Sequence, residues 1–258
     1  MRIRVEALLA VVLTAPMWGQ SGVIGGAPAA PVVKAPPTLA QQVDGLEKKL
    51  LDWPALGRYA ADNAKLALPA AGEQRVVFYG DSITDAWGRR GGSVFFPGKP
   101  YVNRGISGQT TPQMLVRFQQ DVVALKPAVV VILAGTNDVA GNTGPETPEM
   151  VMDNFESMVA VAKANGIKVV ITSILPASKY PWKLEVQNVA EKIRTLNVRL
   201  KAMCDREGLV YVDYYSAMTN AEGGLDPDLS GDGVHPTAKG YTVMAPLAQA
   251  GIDKALGK

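Results

Sequence analysis

The chain has one cysteine, Cys204, and one histidine, His235, in 258 residues. A single cysteine excludes an internal disulfide and any cysteine-rich metal centre. No second histidine is left to activate Cys204, so it reads as a residue packed in a helix rather than a nucleophile. Basic residues do not cluster. The 26 Lys and Arg against 24 Asp and Glu leave a formal charge of +2, with no basic patch interleaved with aromatics, and nucleic acid is not expected as a partner. Neither a Gly-x-Gly-x-x-Gly nor a Walker lysine is present, so no nucleotide fingerprint exists and no cofactor is expected. Past the first twenty residues no run is long and apolar enough for a membrane anchor.

What is present begins with "MRIRVEALLAVVLTAPMWGQ" (residues 1–20): basic residues, then an apolar run too short to span a bilayer. This reads as a secretory signal, with cleavage near Gly19-Gln20 or after Ala27-Pro28-Ala29. No cysteine follows it to carry a lipid. The expectation is a soluble protein exported to the periplasm or beyond the cell. Residues 21–38 are rich in Gly, Ala and Pro and suit a flexible linker. The remainder, 39–258, is expected to form the working domain. It opens with a helical extension over 39–72, read as two short helices broken at Pro54.

After Gly72 short apolar strands alternate with amphipathic helices. "RVVFYG" (75–80), "AVVVILAG" (128–135), "IKVVITSIL" (167–175) and "LVYVDY" (209–214) are apolar on both faces, as parallel strands covered on both sides are. A weaker fifth strand is expected at "PYVNRG" (100–105). Helices are expected over 113–125, 148–165, 184–207 and from Pro236 toward Leu256. The alternation predicts an α/β fold, a three-layer α/β/α sandwich on an open parallel sheet of about five strands. In such a sheet the ligand site lies at the carboxyl ends of the strands.

Four motifs fall at those ends. Ser82 in "GDSIT" sits at a strand-to-helix turn, where a nucleophile is exposed beside helix N–H groups, and where an Asp or Ser is equally an ordinary cap. Gly105 in "NRGISGQTT" allows close approach of a backbone N–H or simply a turn. Asn137 in "GTND" can donate an amide into the same cleft, though Asn also forms turns. In "DGVH", Asp232 stands three residues before His235, a spacing that lets the carboxylate fix the imidazole tautomer. The rival reading of "DPDLSGDG" as a calcium loop meets Thr237 where the twelfth-position glutamate belongs. Together the four supply nucleophile, oxyanion donors, base and orienting acid for serine acyl transfer.

With these motifs in this order, the sequence resembles the SGNH/GDSL hydrolase family, over Arg75 to about Leu256. The resemblance implies a flavodoxin-like sandwich and ester hydrolysis through a serine acyl-enzyme. It further implies Ser82 as the nucleophile, His235 as the base and Asp232 as its orienting acid, with Ser82, Gly105 and Asn137 forming the oxyanion hole. The acetylhydrolase-like, carbohydrate-esterase branch is the nearest in layout. A substrate rim is expected from Trp87, Tyr180 and Trp182, with Phe95, Phe96, Arg89, Arg90 and Lys99 nearby. Scattered aromatics among polar residues suit a sugar ring, and the expected partner is a small-molecule or polysaccharide ester with a short acyl group. The alternatives are a lysophospholipase or thioesterase of the same family, and an inactive carbohydrate-binding protein on this fold.

Overall fold

The computed structural model of the protein describes residues 36–89 and 92–258. The signal segment, nearly all of the linker and Arg90 lie outside the described residues. Contacts divide the chain at Gln42, and the residues from Val43 onward form one unit.

Five strands, β1 (Val76–Gly80), β2 (Tyr101–Gly105), β3 (Val129–Leu133), β4 (Lys168–Thr172) and β5 (Val210–Val212), form one parallel sheet in the order β2-β1-β3-β4-β5. The faint strand expected at 100–105 is the edge strand β2. Alternate residues of each strand point to opposite layers. Val77 and Tyr79 of β1, with Val169 and Ile171 of β4, pack under α4 (Thr111–Asp121), α6 (Pro148–Ala164) and α7 (Val189–Glu207). Val76 and Phe78, with Val170 and Val212, pack on the other side against α9 (Ala238–Leu256) and an aromatic cluster. Short helices α3 (Ser82–Ala86), α5 (Thr136–Ala140) and α8 (Tyr214–Met218) follow β1, β3 and β5 directly. This is the three-layer sandwich the alternation predicts. Chain order reverses between β1 and β3, and the crevice at that switch point is where such sheets bind ligands.

Helix ends differ from expectation for local reasons. α4 starts earlier because Thr110 and Gln113 form a capping box, with a proline in the first turn. α7 starts at Val189 rather than Leu184, because Asn188 stands in the left-handed region at φ 57°. α9 starts at Ala238 rather than Pro236, because Thr237 caps it. Cys204 is buried on α7, and burial pushes its thiol up to about 12, which makes it inert.

The extension contains α1 (Leu39–Leu51) and α2 (Ala60–Lys65). Its later part is tied by polar bonds to the loop after β2 and to α4. Gln113, Gln109 and Gln120 donate side-chain amides to the carbonyls of Trp53, Pro54 and Leu56 at 2.6, 2.7 and 2.7 Å. The Tyr59 hydroxyl donates to the carbonyl of Gly105.

Candidate active site

Three of the four motifs meet where the sheet predicts a site. Asp81 caps α3, accepting the Ile83 N–H at 2.9 Å, so Ser82 occupies the first helical position with its hydroxyl outward. Ser82 Oγ lies 2.9 Å from His235 Nε2. His235 Nδ1 lies 2.7 Å from Asp232 Oδ2. Asp232 is itself fixed: its Oδ1 accepts the backbone N–H groups of Val234 and His235 at 2.9 and 2.8 Å and the Ser230 hydroxyl at 3.2 Å. Partial burial works to raise the Asp232 carboxyl, but these bonds outweigh it and hold the group below its ordinary value. The consistent assignment is Nδ1–H donating to Asp232 and Nε2 accepting from the Ser82 hydroxyl.

Asn137 is carried on α5, whose two ends, Gly135 and Gly141, are both left-handed, at φ 114° and 65°. Its Nδ2 donates to Gln109 O at 2.9 Å and, more weakly, to Asp81 Oδ2 at 3.3 Å. The following Asp138 ties α5 to the start of α4, accepting from the Thr111 N–H at 2.9 Å and the Thr111 hydroxyl at 2.5 Å. Burial, and then the nearby Glu146 carboxyl, push Asp138 well above the ordinary carboxylate range.

Gly105 is placed otherwise than expected. Its N–H donates to Asn103 Oδ1 at 2.9 Å and so is spent. A Cβ there would stand 2.1 Å from the Asp85 nitrogen, so this glycine is needed for α3 to pack on β2. Three residues on, Gly108 has nothing within 4 Å of a built Cβ and stands at φ 83°. Its N–H has no hydrogen-bond partner among the described residues, and its carbonyl faces Asn142 Nδ2 at 3.4 Å. The same "NRGISGQTT" contains this glycine, where Gly105 was expected to act. The signal was the second glycine of that block, which only the position of Asn137 singles out.

The expected rim divides. Trp87 is buried, not on the rim. Its ring packs 5.0 Å from Tyr241 and 5.2 Å from Phe96, and its indole donates to Val94 O at 3.0 Å. Its direction follows from β1: Phe78, on the sheet face away from α4, gathers Trp87, Phe95, Phe96 and Tyr101 into one aromatic cluster. Tyr180 is likewise fully buried and serves as a base on which Trp182 stacks, with centroids 5.0 Å apart. Trp182 is 42% exposed, with its ring 6.1 Å from that of His235. Arg89 is tied to Asp85 at 2.6 Å.

A buried cation supports the strand ends from beneath. Arg117 donates to Gly80 O at 3.0 Å, to Arg104 O at 2.9 Å and to Gln109 Oε1 at 2.5 Å, and pairs with Asp121 at 3.1 Å. Its contacts thus reach the chain just before Ser82, just before Gly105, and the residue whose carbonyl holds Asn137. As for a calcium loop at 226–237, Asp228 pairs with Lys239 at 2.9 Å and Asp232 with His235. Among the described residues no group of three or more His, Cys, Asp or Glu is placed to hold a metal.

A structure of a GDSL-like lipase from Bacteroides thetaiotaomicron superposes with a TM-score of 0.76 at 46% identity, covering 78% of this chain and 98% of that one. An acetylxylan esterase of Geobacillus stearothermophilus is 26% identical over 198 residues, 67% of this chain and 90% of that protein. An acetylxylan esterase of Xylanibacter ruminicola is 27% identical over 223 residues, 72% of this chain; the match spans only 45% of that longer protein. The model of the GDSL-like lipase/acylhydrolase family matches residues 78–243. The chain belongs to that family, a family of carboxylic-ester hydrolases.

Proposed function

We propose that the protein is a serine esterase that removes short acyl groups, acetyl first among them, from carbohydrate esters. The observation that carries this reading is the hydrogen-bonded chain Ser82–His235–Asp232 at the carboxyl edge of the sheet. Ser82 Oγ attacks the ester carbonyl as His235 Nε2 takes its proton, and Asp232 steadies the imidazolium through Nδ1–H. The tetrahedral oxyanion is held by the N–H groups of Ser82 and Gly108 and by the Asn137 carboxamide. Gly108 replaces Gly105 here because its N–H is free and that of Gly105 is not. Collapse of the intermediate expels the alcohol, which receives the proton from His235. Water then attacks the acyl-enzyme by the same route, releasing the acid and restoring Ser82.

The carbohydrate assignment draws support from the two acetylxylan esterases among the relatives and from Trp182, an aromatic face open beside the base. Export is proposed on the leader sequence alone. The test is acetate release from acetylated xylan, set beside p-nitrophenyl esters of increasing chain length. Activity on acetate that fades with chain length, together with acetate released from xylan, supports the reading. A preference for long acyl chains, or for lysophospholipids, overturns it.

A further inference from the structure

A carboxamide is chemically two-sided, and the oxyanion donor Asn137 works only with its NH2 turned to the reacting carbonyl. Its orientation is settled by neighbours outside the triad. Asn142 Nδ2 donates to Asn137 Oδ1 at 2.7 Å, so the Asn137 oxygen faces Asn142 and its NH2 faces Asp81 and Gln109. One N–H bonds Gln109 O. The other makes only the 3.3 Å contact with Asp81 and is the proton an oxyanion can take.

Asn142 is two-sided in turn, and its orientation is set by a group that cannot reverse. The Trp182 indole donates to Asn142 Oδ1 at 3.1 Å, and an indole N–H is a donor only. Facing that donor, Asn142 must present oxygen to Trp182 and NH2 to Asn137. A reversed Asn142 would set N–H against N–H on one side and oxygen against oxygen on the other. The chain carrying Trp182 is also tied to the same turn, with Lys183 Nζ donating to Gly141 O at 3.2 Å.

We propose that Asn142 is a positioning residue for ester hydrolysis, oriented by the Trp182 indole, and that this relay of two amides holds the Asn137 NH2 toward the oxyanion. The proposal rests on the esterase reading and deepens it. It also gives Trp182 two jobs, since the ring face open beside His235 belongs to the group that sets the relay. A leaving alcohol stacked there touches the element that orients the oxyanion donor.

The test compares Asn142→Asp, Asn142→Ala and Trp182→Phe in p-nitrophenyl acetate hydrolysis. Aspartate matches asparagine in shape but has no donor. It sets carboxylate oxygen against Asn137 Oδ1, against the hold that the Gln109 carbonyl keeps on the Asn137 NH2, and so drives the amide out of its productive position; kcat falls nearly as far as in Asn137→Ala, roughly 10²–10³-fold, with KM little changed. Asn142→Ala leaves the amide merely unguided and costs roughly 10-fold, and Trp182→Phe about as much. In an Asn137→Ala background Asn142→Asp costs nothing further, the non-additivity expected of one unit. A packing role predicts the reverse order, with isosteric Asp mild and Ala worse, and additive effects; that result overturns the relay. A second readout needs no turnover: the side-chain amide resonances of Asn137 move in Asn142→Asp. If the wild type hydrolyses no ester, the esterase reading fails, and these resonances still decide the relay. Unmoved resonances overturn it.

Discussion

The buried guanidinium of Arg117 donates to the carbonyl of Gly80 at 3.0 Å, two residues before Ser82. The same group reaches Arg104 O and Gln109, so one side chain joins the ends of β1 and β2 and the loop that holds Asn137. Arginine is suited to this because its planar fork can serve several acceptors at fixed angles.

Arg117→Met should therefore be costly. It leaves the buried Asp121 carboxylate without its ion-pair partner, and breaking one partner of a buried pair costs about 3–5 kcal/mol. Urea denaturation measures it. Adding Asp121→Leu should recover much of the lost stability, yet not the activity, because the three carbonyl and amide bonds stay broken. A double variant as active as wild type would mean that Arg117 serves the fold and not the site.

Gly105 gives a second prediction. A methyl group at Gly105 meets the Asp85 nitrogen at 2.1 Å and the Thr84 carbonyl carbon at 2.6 Å. Gly105→Ala must push α3, and Ser82 with it, away from β2. Overpacking of this kind costs about 1–3 kcal/mol, and a displacement of this size near the chemistry lowers kcat about 10²-fold. Thermal unfolding and steady-state kinetics measure the two effects. An unaffected melting temperature would refute the packing role.

Asp81 sets a pH dependence. Burial pushes its carboxyl up to about 6, although the Ile83 N–H works the other way. A carboxyl raised on folding contributes stability that is complete below about pH 4 and is lost as pH rises through about 6. Asp81→Asn abolishes that term. Relative to wild type, the variant should gain about 2–3 kcal/mol on going from pH 4 to pH 8, read from denaturation curves at both. A difference independent of pH would show that Asp81 does not ionise in this range.

Much of this fold lies open in the sequence. The strands are apolar on both faces, as covered parallel strands must be, and even the faint "PYVNRG" segment pairs as the edge strand β2. The Asp-x-x-His spacing is legible because Asp232 and His235 lie in one short turn, and Ser82 stands out because it opens the helix directly after a strand. What stayed hidden depends on contacts between distant segments. Nothing in "NRGISGQTT" tells which glycine keeps a free N–H until Asn103 is seen to claim that of Gly105. Trp87 looks like a rim aromatic in a loop, and only the sheet face chosen by Phe78 draws it inside. Arg117 lies on α4, where a charge ordinarily reads as solvent-facing. Its burial is understood only from the carbonyls that converge on it.

Serine-esterase chemistry at this site is tested most directly by p-nitrophenyl acetate hydrolysis with wild type, Ser82→Ala, His235→Ala and Asn137→Ala, each confirmed folded by circular dichroism. Losses in turnover of about 10⁴ or more are expected for the first two variants and roughly 10²–10³ for the third. Full activity in Ser82→Ala or His235→Ala would contradict that chemistry.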